Sequence, residues 1–419
     1  MRIGQGHTIL ASYVPEAVGA QTFCERYQDI LTELPKFTFG RHLWRYNDRG
    51  ELETAQPLDP EEQFWQEKTD RKGNPSGNYA FRYVRAFRFL QNHGFGRHHT
   101  LNGGYDFIRM TPPFVKTVQH WEIRDYLTSF AEESLKEDIV EMLFRGSTQF
   151  LGPDKLSHLK FIEPSWFSPQ RGVQYLYFKN KYWEVSKDKI AESTYDRITH
   201  NIWADDISNF SAEKLDPLIR VSEKDGIYSY DITPTGKKCH FLAFLENASN
   251  FTWRKKDEDI TEEEKNENAQ HLIAKLCAIG YLAVSYKDYS AAKAVVGIDG
   301  KQSDIGVSNG RTGKSLLGEL MKRVVVTLYL GGKKYDLAKD QFIWTEMSEK
   351  TKVVFIDDVR KDFDFENIFP NITGSWTINY KSGGRITLDF SKSPKIYLTT
   401  NHSISGDGSS FLDRQWNIA

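Results

Sequence analysis

The chain has 419 residues, of which 39% are hydrophobic and 14% aromatic, and its formal net charge is −2 at pH 7. This length and apolar content suffice for two or three packed domains. The near-neutral charge excludes a global basic field of the kind that marks many nucleic-acid-binding proteins. The three cysteines, Cys24, Cys239 and Cys277, are too scattered for a paired metal site, and their odd number argues against a disulfide framework.

Residues 1–75 carry short apolar pieces and lead into a polar segment with Pro and Gly, QPLDPEEQFWQEKTDRKGNPSGN. We predict an N-terminal segment and linker there and assign it no role. The first residues, MRIGQGHTILASYVPEAV, contain no long apolar run. We therefore expect neither secretion nor a membrane span, and we expect a cytoplasmic protein.

Residues 76–235 are predicted to form an α+β domain. The segment YAFRYVRAFRFLQNHGFGR has aromatic and aliphatic residues at helical spacing, and HWEIRDYLTSFAEESLKEDIVEMLFRG supplies two further amphipathic helices. In VQYLYFKNKYWEV, apolar and polar residues alternate around a polar turn, which indicates a β-hairpin. Helices combined with short strands favour a winged-helix-like module, with the aromatic stripe in its core.

Residues 236–265 are predicted to be a charged linker that leads to a last domain at 266–419. Thr261 stands ahead of a run of glutamates, which is typical of a helix start. Two helices are then expected, in AQHLIAKLCAIGYLAVSY and in YSAAKAVVGID.

A glycine-rich turn follows at 308–315, SNGRTGKS. Such a turn between a strand and a helix directs backbone N–H groups and the helix N-terminus at phosphates. Lys314 is predicted to reach the β- and γ-phosphates of ATP, and Ser315 to ligate Mg²⁺. The first glycine of the usual pattern is replaced by Ser308. The predicted ATP-binding residues are Ser308, Asn309, Gly310, Arg311, Thr312, Gly313, Lys314, Ser315 and Leu316.

A second motif, VVFIDDV at 353–359, strengthens this interpretation. Four apolar residues run directly into Asp357 and Asp358, as in a buried parallel strand that delivers carboxylates to a sheet edge. One aspartate, taken as Asp357, is predicted to hold Mg²⁺ and its neighbour to polarise the attacking water. The separation along the sequence between Lys314 and Asp357 leaves room for one helix and one intervening strand.

Three further features follow the carboxylates. WTINYKSGGRITLDF at 376–390 is predicted to be a β-hairpin with Lys381 and Arg385 beside its turn. PKIYLTTN at 394–401 is predicted to be another strand, which ends at the amide of Asn401. Arg414 lies 13 residues further on.

This order of motifs resembles the superfamily-three helicases. These are the AAA+-related ring motors of small DNA viruses, of poxvirus primase-helicases and of phage and plasmid primase-helicases. The resemblance covers about residues 270–419. It implies an α/β fold with a C-terminal P-loop, AAA+-like ATPase domain, here expected to be truncated at its C-terminus. The preceding α+β domain is compared, on pattern alone, with the N-terminal domain of primase-helicases.

The resemblance also implies roles for single residues. Lys381, assisted by Arg385, would grip DNA in the ring channel. Asn401 would sense the γ-phosphate, and Arg414 would enter the ATP site of a neighbouring subunit in a homo-hexamer. The implied function is ATP-dependent unwinding in the replication of a virus, phage or mobile element, with single-stranded DNA and other replication proteins as partners.

Two alternatives remain open from the residues. A P-loop ATPase or kinase that does not act on DNA would keep Lys314 and Asp357 but would need no basic hairpin. A nucleotide-binding replisome scaffold without turnover is suggested by Ser308 and by the short C-terminal end. The helicase, the kinase and the scaffold all use ATP and Mg²⁺.

Overall fold

The computed structural model describes residues 63–101, 103–134, 137–299, 313–334, 339–381, 384–402, 404 and 408–419. It also describes the backbone of five short strands near the N-terminus: Ile3–Gly4, Thr8–Ile9, Phe37–Phe39, His42–Tyr46 and Leu52–Ala55. The fold is mixed α/β with several sheets. The chain divides into two compact units, the first comprising Met1–Thr100 and Tyr105–Pro164, the second Leu101–Gly104 and Ser165–Ala419.

The first unit combines antiparallel strands with helices. Its hairpin pairs Trp65–Thr69 with Pro75–Phe81, and a meander is formed by Phe95–His99, Tyr105–Thr111 and Phe114–Val118. Its helices are Tyr83–Asn92, His120–Ser134, Glu137–Leu151 and Pro153–Leu156. The aromatic stripe is core, as predicted, because Phe89 and Leu90 are buried together with Phe64.

The second unit begins with β structure. Val173–Phe178 and Tyr182–Ser186 form the predicted hairpin, which Ile190–Ser193 and Ile207–Ser208 extend to four strands. The remaining elements before the central sheet are the strand Ile202–Trp203, the hairpin Ile219–Lys224 with Ile227–Ile232, helix α1 (His240–Ser249) and helix α2 (Glu262–Ala283). Single 3₁₀ turns lie at Tyr195–Arg197, Ala204–Asp206, Gly236–Lys238, Asp257–Asp259, Tyr289–Ala291, Phe365–Ile368 and Phe390–Lys392.

A five-stranded parallel sheet forms the centre of the second unit. Its strands are β1 (Ala294–Gly297), β2 (Thr327–Gly331), β3 (Val353–Val359), β4 (Lys395–Thr400) and β5 (Gln415–Ile418), in the spatial order β2-β3-β4-β1-β5. Helix α3 (Lys314–Val324) connects β1 to β2. The short helices Phe369–Thr373 and Ser409–Asp413 and the predicted hairpin, Trp376–Asn379 with Arg385–Leu388, complete the unit.

The sheet is buried on both faces, which explains its continuous apolar strands. All four residues of β1 and all six of β4 are buried. One face packs against α2 and α3, where Leu317 and Met321 meet Phe355 and Tyr397. Because β1 and β4 are buried along their whole length, their polar side chains can meet a ligand only at the ends of the strands.

Thr261 starts α2 as predicted, since its hydroxyl accepts from the N–H of Glu264 at 3.2 Å and the Glu264 carboxylate accepts from the Thr261 N–H at 3.2 Å. The structure differs from prediction at YSAAKAVVGID, where a 3₁₀ turn and strand β1 replace the expected helix. β1 lies between β4 and β5 and all four of its residues are buried, so pairing with two strands decides its conformation.

The charged stretch 236–265 also differs from a plain linker, because it contains α1, whose Leu242 and Leu245 pack on Leu272 of α2. The unit boundary after Pro164 falls inside the predicted 76–235 block. Among the helices of the described residues, none combines the length and apolar character needed to cross a bilayer.

Candidate functional site

The carboxyl edge of the sheet brings the chain-distant motif residues together. β3 ends near Asp357 and Asp358, β4 is followed by Asn401, and α3 starts at Lys314. In a parallel sheet, all strands end at the same edge, and ligands bind in the crevice beyond it. We call this group of residues, with Ser315, the edge cluster.

The start of α3 depends on a glycine with a backbone that other residues rarely adopt. Gly313 has φ of +87° and precedes the helix, and a Cβ placed on it would lie 2.3 Å from the Phe244 ring of α1. Both facts favour glycine at this position. The helix therefore begins with Lys314 and Ser315 in its first turn, where the positive end of the helix dipole favours anions.

Lys314 is held between two acceptors. Its ammonium forms an ion pair with Asp299, the second residue after β1, and donates to the Asn401 side-chain oxygen at 3.0 Å. The side chains of Lys314 and Asp299 are only 12% and 10% exposed. Low exposure strengthens this ion pair relative to a surface pair.

Ser315 and Asp357 are in direct contact. The Ser315 hydroxyl donates to Asp357 Oδ1 at 2.8 Å, and the Thr399 hydroxyl donates to the same oxygen at 2.7 Å. The Tyr329 hydroxyl donates to Asp357 Oδ2 at 3.5 Å. A carboxylate and a hydroxyl in contact form a small set of oxygen ligands, which fits Mg²⁺ because that ion keeps several waters and uses substrate phosphates as further ligands.

Asp358 occupies a backbone conformation that is uncommon outside glycine, with φ of +57°. The register between β3 and β4 shifts between Ile356 and Val359, so the strand bulges here. Successive side chains of a regular strand point to opposite faces, and a bulge re-aims one of them. The bulge therefore lets both consecutive carboxylates contact groups of the edge cluster.

Asn401 connects the two halves of the edge cluster. Its amide nitrogen donates to Asp358 Oδ1 at 3.0 Å while its oxygen accepts from Lys314. The Asp358 backbone N–H donates to the Thr399 hydroxyl at 2.8 Å, and the Asp358 carboxylate forms an ion pair with Lys333. Every polar side chain of the cluster is thus connected to another.

One neighbour under the cluster also responds to its charge. Tyr397 of β4 is buried and donates to the Lys314 carbonyl at 2.7 Å. Burial raises the pKa of Tyr397 first, and the negative charge of Asp357 raises it further. The hydroxyl therefore stays protonated and keeps donating to the backbone at the start of α3.

Other predicted residues lie elsewhere. Lys381 and Arg385 are exposed at the hairpin turn, where the Tyr380 N–H donates to the Gly384 carbonyl at 2.8 Å. Leu316 is exposed on the first turn of α3. Ser308, Asn309, Gly310, Arg311 and Thr312 lie outside the described residues.

Arg414 is not part of the edge cluster of its own chain. It immediately precedes β5, and its carbonyl accepts from the Ala294 N–H at 2.8 Å, so its backbone lies at the amino edge of the sheet. Its guanidinium donates to the Thr373 hydroxyl at 3.3 Å and to the Ser410 carbonyl at 2.9 Å. Arg414 and the edge cluster of the same chain thus lie at opposite ends of the strands.

Three members of the site were missed by sequence reasoning: Asp299, Lys333 and Thr399. Asp299 follows a strand that was predicted as helix, and Lys333 follows the intervening strand β2. Thr399 stands within the motif KIYLTTN, two residues before Asn401, and strand alternation predicts that both side chains lie on the same face. In the described part of the chain, no group of three His, Cys, Asp or Glu side chains converges as a metal site would require.

Comparisons with known proteins add little to this geometry. No protein-family model and no curated protein matches the chain. Among solved structures, the chain is similar to the A form apo structure of the NrS-1 C terminal region, with 14% identity and a TM-score of 0.23. The match covers 56% of this chain and 55% of that one, so the chain spans about half the length of the structure it matches. At this TM-score the similarity carries no argument about activity.

Proposed function

We propose that the chain is an ATP-dependent nucleic-acid translocase of the helicase type, with an AAA+-like P-loop domain that binds ATP and Mg²⁺ at the edge cluster. One observation carries the proposal: Ser315 donates to Asp357 at 2.8 Å, while the adjacent Lys314 is joined through Asn401 to Asp358. Residues that are 42 to 87 positions apart in the chain therefore form one hydrogen-bonded network.

The contacts support different tasks for the two carboxylates. Asp357 touches the hydroxyl of Ser315, so these two side chains would hold Mg²⁺, which supplies positive charge to the phosphates. Asp358 touches Asn401 instead, and would orient the water that attacks the γ-phosphorus. In that step the new phosphorus–oxygen bond forms as the bond to the bridging oxygen breaks, and ADP leaves.

Lys314 must change partners for this reaction. Its ammonium now pairs with Asp299 and would move to the β- and γ-phosphates when ATP binds. Asn401 already contacts Lys314 and Asp358, so an added γ-phosphate would be read by the same amide. Asp299 is released from its ion pair at that moment.

The location of Arg414 supports a role in a neighbouring subunit. Since it lies at the opposite edge of its own sheet, it would complete the ATP site of the next protomer in a ring. The test mixes Arg414→Ala chains with wild-type chains. We expect the variant to be inactive alone and to lower turnover of the mixture more than simple dilution would, and normal turnover of the variant alone would refute the assignment in trans.

The basic hairpin distinguishes a helicase function from that of an ATPase or kinase that does not act on DNA. Lys381 and Arg385 are exposed, and among the described residues neither forms an ion pair, so both charges are accessible to a phosphate backbone. The double variant Lys381→Ala with Arg385→Ala should lose stimulation of ATP turnover by single-stranded DNA and keep basal turnover. Lys256→Ala with Lys265→Ala removes the same charge from another surface and serves as control. Unchanged stimulation in the hairpin variant would favour an ATPase or kinase that does not act on DNA.

A further inference from the structure

A cavity of about 440 Å³ lies at the amino edge of the same sheet. Its lining includes Val326, Lys352 and Lys395, which stand immediately before β2, immediately before β3 and at the first position of β4. Parallel strands rise about 3.3 Å per residue, so the cavity lies roughly 15 Å from the edge cluster. The volume is within the range of small-molecule sites.

One wall of the cavity is aromatic. It includes Trp166, Phe167, Tyr175, Tyr177 and Trp203. The rings of Trp166 and Trp203 are stacked with centroids 4.5 Å apart, and the Phe167 ring meets the Tyr175 ring edge-on at 4.7 Å. Rings of this kind stack on planar ligands, and nucleobases are stacked on aromatic side chains in many proteins.

Two buried lysines also line the cavity. Lys287 is 8% exposed and donates to the Ser393 hydroxyl at 2.7 Å, and Lys395 is 4% exposed and donates to the Tyr281 and Val284 carbonyls at 2.6 and 2.7 Å. Within the described residues, neither ammonium has a carboxylate at ion-pair distance. A buried charge without a counter-charge is costly, so an anion in the cavity would be stabilised.

A third buried lysine provides a comparison. Lys275 is 7% exposed and donates to the Ser249 hydroxyl at 3.0 Å at the end of α1, outside the cavity. Burial alone lowers the pKa of Lys275 to about 8, whereas burial and then the charge of Lys287 lower the pKa of Lys395 to about 7. Lys287 and Lys395 therefore repel each other, and a bound anion would relieve that repulsion.

Positive side chains outnumber negative ones in the lining of the cavity. Four lysines face two carboxylates, the lysines being Lys287, Lys352, Lys392 and Lys395 and the carboxylates Asp206 and Glu349. Burial raises the pKa of Asp206, which reduces the negative charge that it can contribute. The lining therefore combines aromatic rings with an excess of lysines.

We propose that this cavity is a second nucleotide site, which takes an aromatic base on the Trp166 side and its phosphate on the Lys287 side. The site is separate from the edge cluster and does not depend on the ATPase proposal. The ligand is either a free mononucleotide or one nucleotide of a single strand, since both present a planar base with a phosphate.

The test measures binding of AMP and of a short oligothymidylate to the full chain in a Lys314→Ala background, which weakens phosphate binding at the edge cluster. Lys287→Met should weaken binding at least about tenfold, because a hydrogen-bonded ion contact is lost. Lys275→Met removes an equally buried ammonium outside the cavity and should leave binding unchanged. Binding of AMP that Lys287→Met weakens would identify a free nucleotide as ligand, and such weakening seen with the oligonucleotide alone would identify a strand.

Two results would overturn the proposal: absence of binding by both probes, or equal weakening by Lys287→Met and Lys275→Met. If Lys287→Met does not fold, photo-crosslinking of azido-AMP to the Lys314→Ala chain decides instead. Label within 166–177 or 201–206 supports the cavity, and label confined to other peptides refutes it.

Discussion

The two edges of the central sheet treat positive charge differently. At the carboxyl edge, the ammonium of Lys314 is balanced by Asp299 and oriented by Asn401. At the amino edge, Lys287 and Lys395 are more deeply buried and are satisfied by hydroxyl and carbonyl oxygens. At the carboxyl edge, a phosphate can replace the carboxylate of Asp299 as the partner of the Lys314 ammonium. At the amino edge, the ammonium groups have no carboxylate partner, so binding of an anion adds a counter-charge.

The strands between the edges explain why the two sites can differ. β1 and β4 are buried along their full length, so no polar side chain of theirs reaches solvent in mid-strand. The functional side chains at each edge come instead from the segments that precede or follow the strands. Changes at one edge should therefore leave the chemistry of the other intact, which the following variants test.

Lys314→Ala should have the largest effect. The ammonium is the group that neutralises the phosphates during transfer, and loss of one such group costs about 100-fold or more in turnover. Steady-state ATP hydrolysis measures it, with Lys265→Ala on α2 as a surface-charge control. Turnover within a factor of about two of the wild-type rate would show that Lys314 takes no part in the reaction. The proposed functional difference between the two edges would then be lost.

Ser315→Ala and Asp357→Asn should act as a pair, because both side chains would hold one ion. Each single change should raise the Mg²⁺ concentration needed for half-maximal turnover. The double variant should be less impaired than the sum of the singles, with a coupling of about 1 kcal/mol or more. Additive effects would mean that the two side chains serve separate purposes.

Thr399→Val should have an intermediate effect. The hydroxyl fixes both carboxylates, since it donates to Asp357 and accepts from the Asp358 N–H. Partners that orient metal ligands are worth about 10- to 100-fold in affinity or activity. Thr327→Val makes the same change at the amino edge, where the hydroxyl donates to the Val325 carbonyl, and should leave turnover unchanged. Equal losses in both variants would indicate a packing effect.

The smallest effect concerns stability and pH. Burial lowers the pKa of Lys287 to about 8, and burial with the charge of Lys287 lowers that of Lys395 to about 7, below the value of about 10.4 for an unfolded chain. Between pH 7 and 9 the unfolded state therefore binds more protons, and the free energy of unfolding rises with pH by up to about 1.4 kcal/mol per unit for each lysine.

Urea unfolding at several pH values measures this slope, and Lys395→Met should reduce it. The variant loses one group whose pKa is lower in the folded than in the unfolded state. An unchanged slope in Lys395→Met would show that its ammonium is solvated in the folded protein. Lys265→Ala, on the surface of α2, should retain the full slope.

Sequence patterns predicted the carboxyl edge better than the amino edge. The strand at 353–359 and the strand before Asn401 are continuous apolar runs that end in polar residues, so their type and direction were readable. Lys314 and Ser315 followed from the glycine-rich turn and Asp357 from the end of the strand at 353–359, and the structure brings them together.

The remaining site residues depend on tertiary pairing. β1 lies in a segment that was predicted as helix, which hid Asp299, and the bulge that re-aims Asp358 follows from the register of β3 with β4. The cavity is assembled from the ends of three strands and a distant aromatic segment. No local sequence pattern predicts such a site, because its charged and aromatic residues cannot be told from ordinary core and surface residues in the sequence.

Calorimetric titration of the full chain with ATP, with and without Mg²⁺, would decide whether the carboxyl edge binds a triphosphate and a metal ion when wild type is compared with Asp357→Asn. We expect a Mg²⁺-dependent binding component in wild type that Asp357→Asn loses. ATP binding that is the same with and without Mg²⁺, in both proteins, would contradict a triphosphate and metal site at the carboxyl edge.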